Sequence, residues 1–469
     1  MPLNVNVHYS TISELAPQIK AGEISPVELT EAMLERVHAL NPRLRAYEVV
    51  TDELALEQAK RAEDDIAAGK YRGELHGIPL AVKDLCYTRG IVTKGGSAVN
   101  ANNVPAFDAT VVRKLAESGA VLLGKVVMTE GAMGGYNPAL QYPENPWRAS
   151  HWPGSSSSGS GSATAAGMAF ATLGSDTGGS IRHPAAVCGT VGLKPTWGLV
   201  SRYGVMDLAP SLDHVGPLTR SSRDAGLVLQ AISGHDVNDP TSVPHEVPDM
   251  VAGASNGVKG LRIGYDERYT TEDMEPSFAR AVKNGVEVLA KLGAEIVPVR
   301  MPERLREYVT AWPIICGAEA AAAHAANYPS RANEYGPWFR EWLRRGASYS
   351  AVDYANAHEL RLLCNGELRN TMNGIDLMAC PATAKAAYRV TPEEMYGPIP
   401  ADRDPWASRF TVPHDYAGLP TITLPAGLTD EGLPASLQLV GHHLSEPLLV
   451  QTGCAFESAT DHHKMHPPL

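Results

Sequence analysis

Residues 77–85 read GIPLAVKDL, and further on DATVVRKLAESGA (108–120) runs directly into VLLGKVV (121–127). The first and last of these are short apolar runs, the pattern of buried strands. The middle segment reads as a helix. Strand, helix, strand predicts an α/β fold with a parallel or mixed sheet. GIPLAVKDL also ends on Lys83 and Asp84, which places two ionisable groups where a buried strand gives way to a loop.

Upstream, residues 10–70 read as helices. Thr11 with Glu14 and Ser25 with Glu28 fit capping boxes, Pro26 takes a first helical position, and Asn41-Pro42 is expected to end the second helix. Downstream, LRIGY (261–265) and EIVPV (295–299) read as strands around a helix near 276–292. Residues 302–372 read as entirely helical. DLMACPA (376–382), GLPTITLPAG and LPASLQLVG return to strand patterns before a last helix. No internal repeat and no linker divides the chain.

The 469 residues are 44% hydrophobic and 20% charged, which excludes a disordered chain and a disulfide mini-scaffold. Forty basic against 52 acidic side chains give a net charge of −12, which argues against nucleic acid or an anionic membrane as partner. The six cysteines form no C-x-x-C and no zinc spacing, so free thiols and a cytoplasmic location are expected. The opening MPLNVNVHYSTISEL shows no signal peptide, and no apolar run is long enough to span a bilayer.

The stretch most loaded with chemistry is HWPGSSSSGSGSATAAGMAFATLGSDTGGSIRHPAAVCGTVGLKPT (151–196). A Ser/Gly tract is commonly a linker. Here Ala163–Leu173 continues as a small-residue helix, and a second Gly-rich turn, Asp176–Ser180, follows at once. Two such loops beside one packable helix mark a place where backbone approaches a ligand. A phosphate cradle lacks its G-x-x-x-x-G-K-[ST]. An aspartic-protease turn, D-T-G at 176–178, lacks its second copy. A serine hydrolase lacks the G-x-S-x-G elbow. A serine activated by lysine remains open, with Lys83, Ser156 and Ser180 as the candidates.

Taken in order, GIPLAVKDL, PGSSSSGS (153–160), GSDTGGSIRHPAAVCGTVGLKPT (174–196) and SLDHVGP (211–217) resemble the amidase signature family. YAGLPTITLPAG (416–427) and LPASLQLVG (433–441) resemble its C-terminal strands. The resemblance implies one α/β domain over 1–469, a large mixed sheet with helices on both faces. Within it lie N-terminal helices (1–70), a signature core (73–220), a variable helical pocket region (302–372) and C-terminal strands with a final helix (376–469).

It also implies a Ser-cisSer-Lys triad. Ser180 matches the nucleophile, Ser156 the bridging serine after a cis peptide bond, and Lys83 the base. Ser155 stands where the family usually has Gly. The oxyanion hole maps onto the backbone N–H groups of Thr177, Gly178, Gly179 and Ser180. Gly131, Ala132, Met133 and Gly134 map beside the acyl site. Asp176 and Arg182 are assigned structural support, Asp213 a buried organising role, and His183 and His214 none in catalysis.

The residue chemistry agrees with that assignment. A free lysine is under about 0.1% neutral at pH 7, and burial raises that fraction. A serine hydroxyl donates and accepts at once and so relays a proton. The expected activity is cofactor-free and metal-free hydrolysis of small-molecule amides, carbamates or esters, with aryl amides and carbamates preferred. Trp312, Trp338 and Trp342 are expected to wall the entrance. The second reading is a glutaminase-type component of a tRNA-dependent amidotransferase complex. The chain is expected to be a monomer or a homodimer.

Overall fold

In the computed structural model, residues 7–469 are described. Residues 1–6, on which the signal-peptide expectation partly rests, lie outside the described residues. Among the described residues, eleven strands form one mixed sheet. They are β1 (Tyr47–Val50), β2 (Pro79–Lys83), β3 (Val121–Val126), β4 (Ala171–Asp176), β5 (Val191–Lys194), β6 (His214–Thr219), β7 (Arg262–Tyr265), β8 (Glu295–Pro298), β9 (Leu377–Cys380), β10 (Thr421–Leu428) and β11 (Pro434–Gly441). Their spatial order is β1-β3-β2-β4-β6-β5-β10-β11-β9-β7-β8. β2 is parallel to both β3 and β4, and β7 to both β8 and β9, while the other pairs are antiparallel.

The predicted strands at 77–85 and 121–127 are β2 and β3, each wholly buried. A continuous apolar run suits a strand covered on both faces. The covering is visible further along the sheet. A Cβ on Gly453 or Gly285 would meet Leu424 and Leu437, so the helices Glu446–Thr460 and Pro276–Lys291 cover that face. A Cβ on Gly192 would meet Ala185, so the helix Arg182–Cys188 covers the other. The edge strands differ: β8 is exposed at Glu295 and Pro298 and half-buried at Ile296 and Val297. No described helix is long and apolar enough to cross a membrane.

Three expectations change. Residues 10–70 are not all helical, because Tyr47–Val50 pairs antiparallel with β3 as an edge strand. The second helix does not end at Asn41-Pro42 but runs to Leu44, closed by the Arg45 N–H on the Asn41 carbonyl oxygen at 2.7 Å. Pro42 lacks an N–H, so the helix forgoes one i→i−4 bond in its last turn. The small-residue helix is Ser158–Ala165, inside the Ser/Gly tract itself, and Ala171 onward is strand β4. Gly167, at φ +66°, turns the chain between the two. The helical reading of 302–372 holds, with helices Leu305–Ala323, Pro337–Gly346 and Ala351–Thr371.

β3 and β4 flank β2 in parallel, so the chain crosses over β2 between them. In open α/β sheets such a reversal leaves a crevice at the carboxyl ends of the strands. Lys83 closes β2 at that end, and Asp176 closes β4.

Candidate active site

Lys83 is fully buried. Its Nζ lies 2.6 Å from Ser156 Oγ, 3.0 Å from Ser157 Oγ and 2.9 Å from Ser175 Oγ. Ser156 and Ser157 lie on the loop leading into the helix Ser158–Ala165, and Ser175 lies near the end of β4. Gly174 makes the approach possible, since a Cβ there would sit 2.8 Å from Ser157 Oγ.

The proton positions around Lys83 are constrained. Ser157 Oγ donates to the Ser175 carbonyl oxygen at 3.1 Å and accepts the Ser175 N–H at 3.2 Å. Its one proton is used, so toward Lys83 it accepts. A neutral amine has two N–H bonds and one lone pair. With one N–H bond directed at Ser157, the other N–H and the lone pair are shared between Ser156, the shortest of the three contacts, and Ser175. Burial pulls the Lys83 pKa down to about 7, against weaker opposing influences from Cys86, Asp176 and Asp213.

Ser180 is half-buried at the end of the Asp176–Ser180 turn. The Ser157 N–H donates to the Ser180 carbonyl oxygen at 3.3 Å, which joins the two Gly/Ser loops. Lys83 and Ser156 are thus in direct contact, whereas the Ser180 hydroxyl makes no hydrogen bond among the described residues. Catalytic hydrogen bonds are commonly long before substrate binds and tighten with it. The Ser155–Ser156 peptide bond is cis.

The turn is held by a buried charge network. Asp176 Oδ1 accepts the Gly179 N–H at 2.6 Å, and Oδ2 accepts the Ile181 N–H at 2.9 Å. The Arg182 guanidinium grips both oxygens, at 2.8 Å and 3.0 Å, and reaches Asp415 Oδ2 at 2.6 Å and the Thr411 carbonyl oxygen at 3.0 Å. Burial, the largest single influence, would raise the Asp176 pKa, but Arg182, Lys194 and the Ile181 N–H together outweigh it and hold this carboxyl well below the usual carboxylate range. Asp213 accepts the Thr177 hydroxyl at 2.5 Å and the N–H groups of Leu208 and Ala209. Gly179 adopts φ +129°, and a Cβ there would strike the His183 ring. Of the four N–H groups expected to form the oxyanion hole, that of Gly179 is taken by Asp176. Those of Thr177, Gly178 and Ser180 have no acceptor among the described residues.

The Gly131–Gly134 segment lies against the same loop. The Ser155 hydroxyl donates to the Met133 carbonyl oxygen at 3.0 Å, and the Thr129 N–H to that of Ser156 at 3.2 Å. Trp338 packs on Gly134, while Trp312 packs on Gly178 and donates to the Thr177 carbonyl oxygen at 2.9 Å. The Trp312 and Trp342 rings stand 5.9 Å apart, and the Arg403 guanidinium lies over Trp338 and Trp342. No histidine ring hydrogen-bonds Lys83, Ser156 or Ser180 among the described residues. Burial lowers the His183 pKa to about 4. No described group of His, Cys, Asp or Glu is arranged to hold a metal ion.

Sequence reasoning missed Ser157, Ser175, Thr411 and Asp415. Only the fold brings the last two to the turn, from more than two hundred residues away. The signal within reach was the Thr-Val-Pro-His-Asp run just before YAGLPTITLPAG.

Known proteins resemble this chain over nearly its whole length. The family model described as Amidase matches residues 28–450. "Putative amidase AmiD" of Mycobacterium tuberculosis is 42% identical over 462 residues, covering 98% of this chain and 96% of that protein. A glutamyl-tRNA(Gln) amidotransferase component of a Geobacter species is 40% identical over 486 residues, covering 98% and 99%. The native peptide amidase of Stenotrophomonas maltophilia superposes with a TM-score of 0.84 at 32% identity, over 96% of this chain and 97% of that one. The match of the family model along nearly the whole sheet, together with these full-length likenesses, shows that the chain belongs to the amidase family.

Proposed function

We propose that this amidase hydrolyses linear C–N bonds through an acyl-enzyme on Ser180, with Ser156 as proton relay and Lys83 as base. The observation that carries the reading is the buried Lys83 amine, its pKa drawn down to about 7 and its Nζ 2.6 Å from Ser156 Oγ. Ser180 Oγ attacks the substrate carbonyl carbon. Its proton passes to Ser156, whose own proton passes to Lys83. Negative charge on the former carbonyl oxygen is met by free N–H groups of the 177–180 turn. The relay then reverses, Lys83 returning a proton through Ser156 to the leaving nitrogen. The C–N bond breaks and leaves an ester on Ser180. Water, deprotonated by the same relay, releases the acid.

Aryl amides and carbamates are the preferred substrates and esters are cleaved as well. The indoles of Trp312, Trp338 and Trp342 support this, because aromatic walls favour flat apolar groups. The second reading has an observation of its own. The relative named as part of an amidotransferase matches this chain over 99% of its own length at 40% identity, which favours glutamine as substrate and a multi-chain assembly.

One experiment separates them. The purified chain is assayed against an anilide, an aryl carbamate, an aryl ester and glutamine, beside Ser180→Ala. We expect anilide or carbamate turnover by the chain alone, falling by several orders of magnitude in the variant. Turnover of glutamine alone would support the second reading. A Ser180→Ala variant retaining more than about a tenth of kcat would reject the nucleophile.

A further inference from the structure

Within the Asp176–Ser180 turn, the peptide unit between Gly178 and Gly179 is held at both ends. Its N–H donates to Asp176 Oδ1 at 2.6 Å, and its carbonyl oxygen accepts the Thr411 hydroxyl at 2.7 Å. This is the softest peptide of the turn, since neither flanking residue has a Cβ to restrict rotation. Thr411 arrives from the other end of the sequence, just before the helix Val412–Tyr416.

A threonine in front of a helix ordinarily accepts an N–H from that helix's first turn. Thr411 makes no such cap bond. It is fully buried, and its hydroxyl is directed at Gly178, with a longer contact of 3.2 Å to the Ser408 carbonyl oxygen. Its own carbonyl oxygen accepts from Arg182 Nη1, the guanidinium that also grips Asp176. Thr411, Arg182 and Asp176 therefore form a closed ring around one peptide unit.

We propose that Thr411 is a positioning residue for the oxyanion hole: its hydroxyl fixes the Gly178–Gly179 peptide so that the N–H groups of Gly178 and Ser180 on either side converge on the oxyanion. The Gly179 N–H, bound to Asp176, is a structural donor and takes no part in that convergence. The inference rests on Ser180 as nucleophile and goes beyond it, because it assigns the aim of the turn to a residue of the C-terminal segment. Converging donors act on the transition state more than on the bound substrate. Loss of the Thr411 hydroxyl therefore lowers kcat and leaves KM nearly unchanged.

The test compares Thr411→Val, nearly isosteric but without a hydroxyl, and Thr411→Ser, which keeps one. Anilide kinetics are measured beside inhibition by an arylboronic acid, which forms a tetrahedral anionic adduct with a serine oxygen. We expect Thr411→Val to lose about tenfold in kcat, with KM within about twofold and boronate Ki raised in step with kcat. Thr411→Ser is expected to return to within about threefold of the parent. Thr411→Ala takes the place of the valine variant if that one does not fold. An unchanged kcat and Ki in the hydroxyl-free variant overturns the proposal, as does a serine variant as impaired as the valine one. Failure of the Ser180 reading looks different, since the parent enzyme would then keep turnover in Ser180→Ala and escape the boronate.

Discussion

In the proposed mechanism Lys83 acts as a base only while its amine is neutral. With its pKa near 7, kcat/KM is expected to fall about tenfold per pH unit on the acid side of that value and to level off above it. A pH profile on a neutral anilide measures this directly. Lys83→Arg keeps the positive charge but cannot release a proton at these pH values, so its activity should be lost at every pH. A histidine base predicts instead that some single His→Ala variant is as inactive as Ser180→Ala. At this scale much was legible in the sequence. Lys83 ends a recognisable apolar run, and Ser156 and Ser180 sit in ordered motifs. Ser157 and Ser175 were not, because a run of four serines carries no sign of which hydroxyls turn inward. The backbone of β4 decides that, by bonding Ser157 from both sides of Ser175.

The elements behind the site are held by buried charge rather than by apolar packing alone. Arg182 sits between Asp176 and Asp415, and all three side chains are fully buried. Removing one partner from such a group leaves uncompensated charge in the interior. Arg182→Ala is therefore expected to cost about 3–5 kcal/mol of stability, read as a drop in the denaturant midpoint. A folded variant of unchanged midpoint would show the network to be dispensable. The strand-helix-strand core was readable because its apolar runs are short and bounded. The helix Ser158–Ala165 was misplaced because every residue in it is small and buried, leaving no amphipathic stripe to mark its limits. Small residues are needed there: a Cβ on Gly159 would lie 2.5 Å from the Val127 backbone nitrogen. β1 was missed because a four-residue edge strand between two helices carries too little pattern.

Across the whole molecule, the candidate site gathers parts from both ends of the chain. Lys83 comes from β2, the two serine loops flank β4, and Thr411 and Asp415 come from the segment before β10. The sheet order explains why sequence alone could not place the last two. β10 joins the N-terminal half of the sheet only through its antiparallel pairing with β5, and no local spacing encodes a pairing at that distance. Trp312, Trp338 and Trp342, the proposed aromatic wall, come from the helices of the stretch 302–372. The proposed function assigns substrate choice to that region. Trp312→Ala is accordingly expected to raise KM for an anilide more than for a small aliphatic amide, with a parallel kinetic comparison as the check. The most direct measurement of the central claim is the pH dependence of Ser180 acylation by an aryl carbamate, followed by intact-protein and peptide mass spectrometry. The account predicts one adduct, on Ser180, formed at a rate that rises through a pKa near 7 and slowed by at least about a hundredfold in Lys83→Met. An adduct on another residue, or an undiminished rate in Lys83→Met, would contradict it.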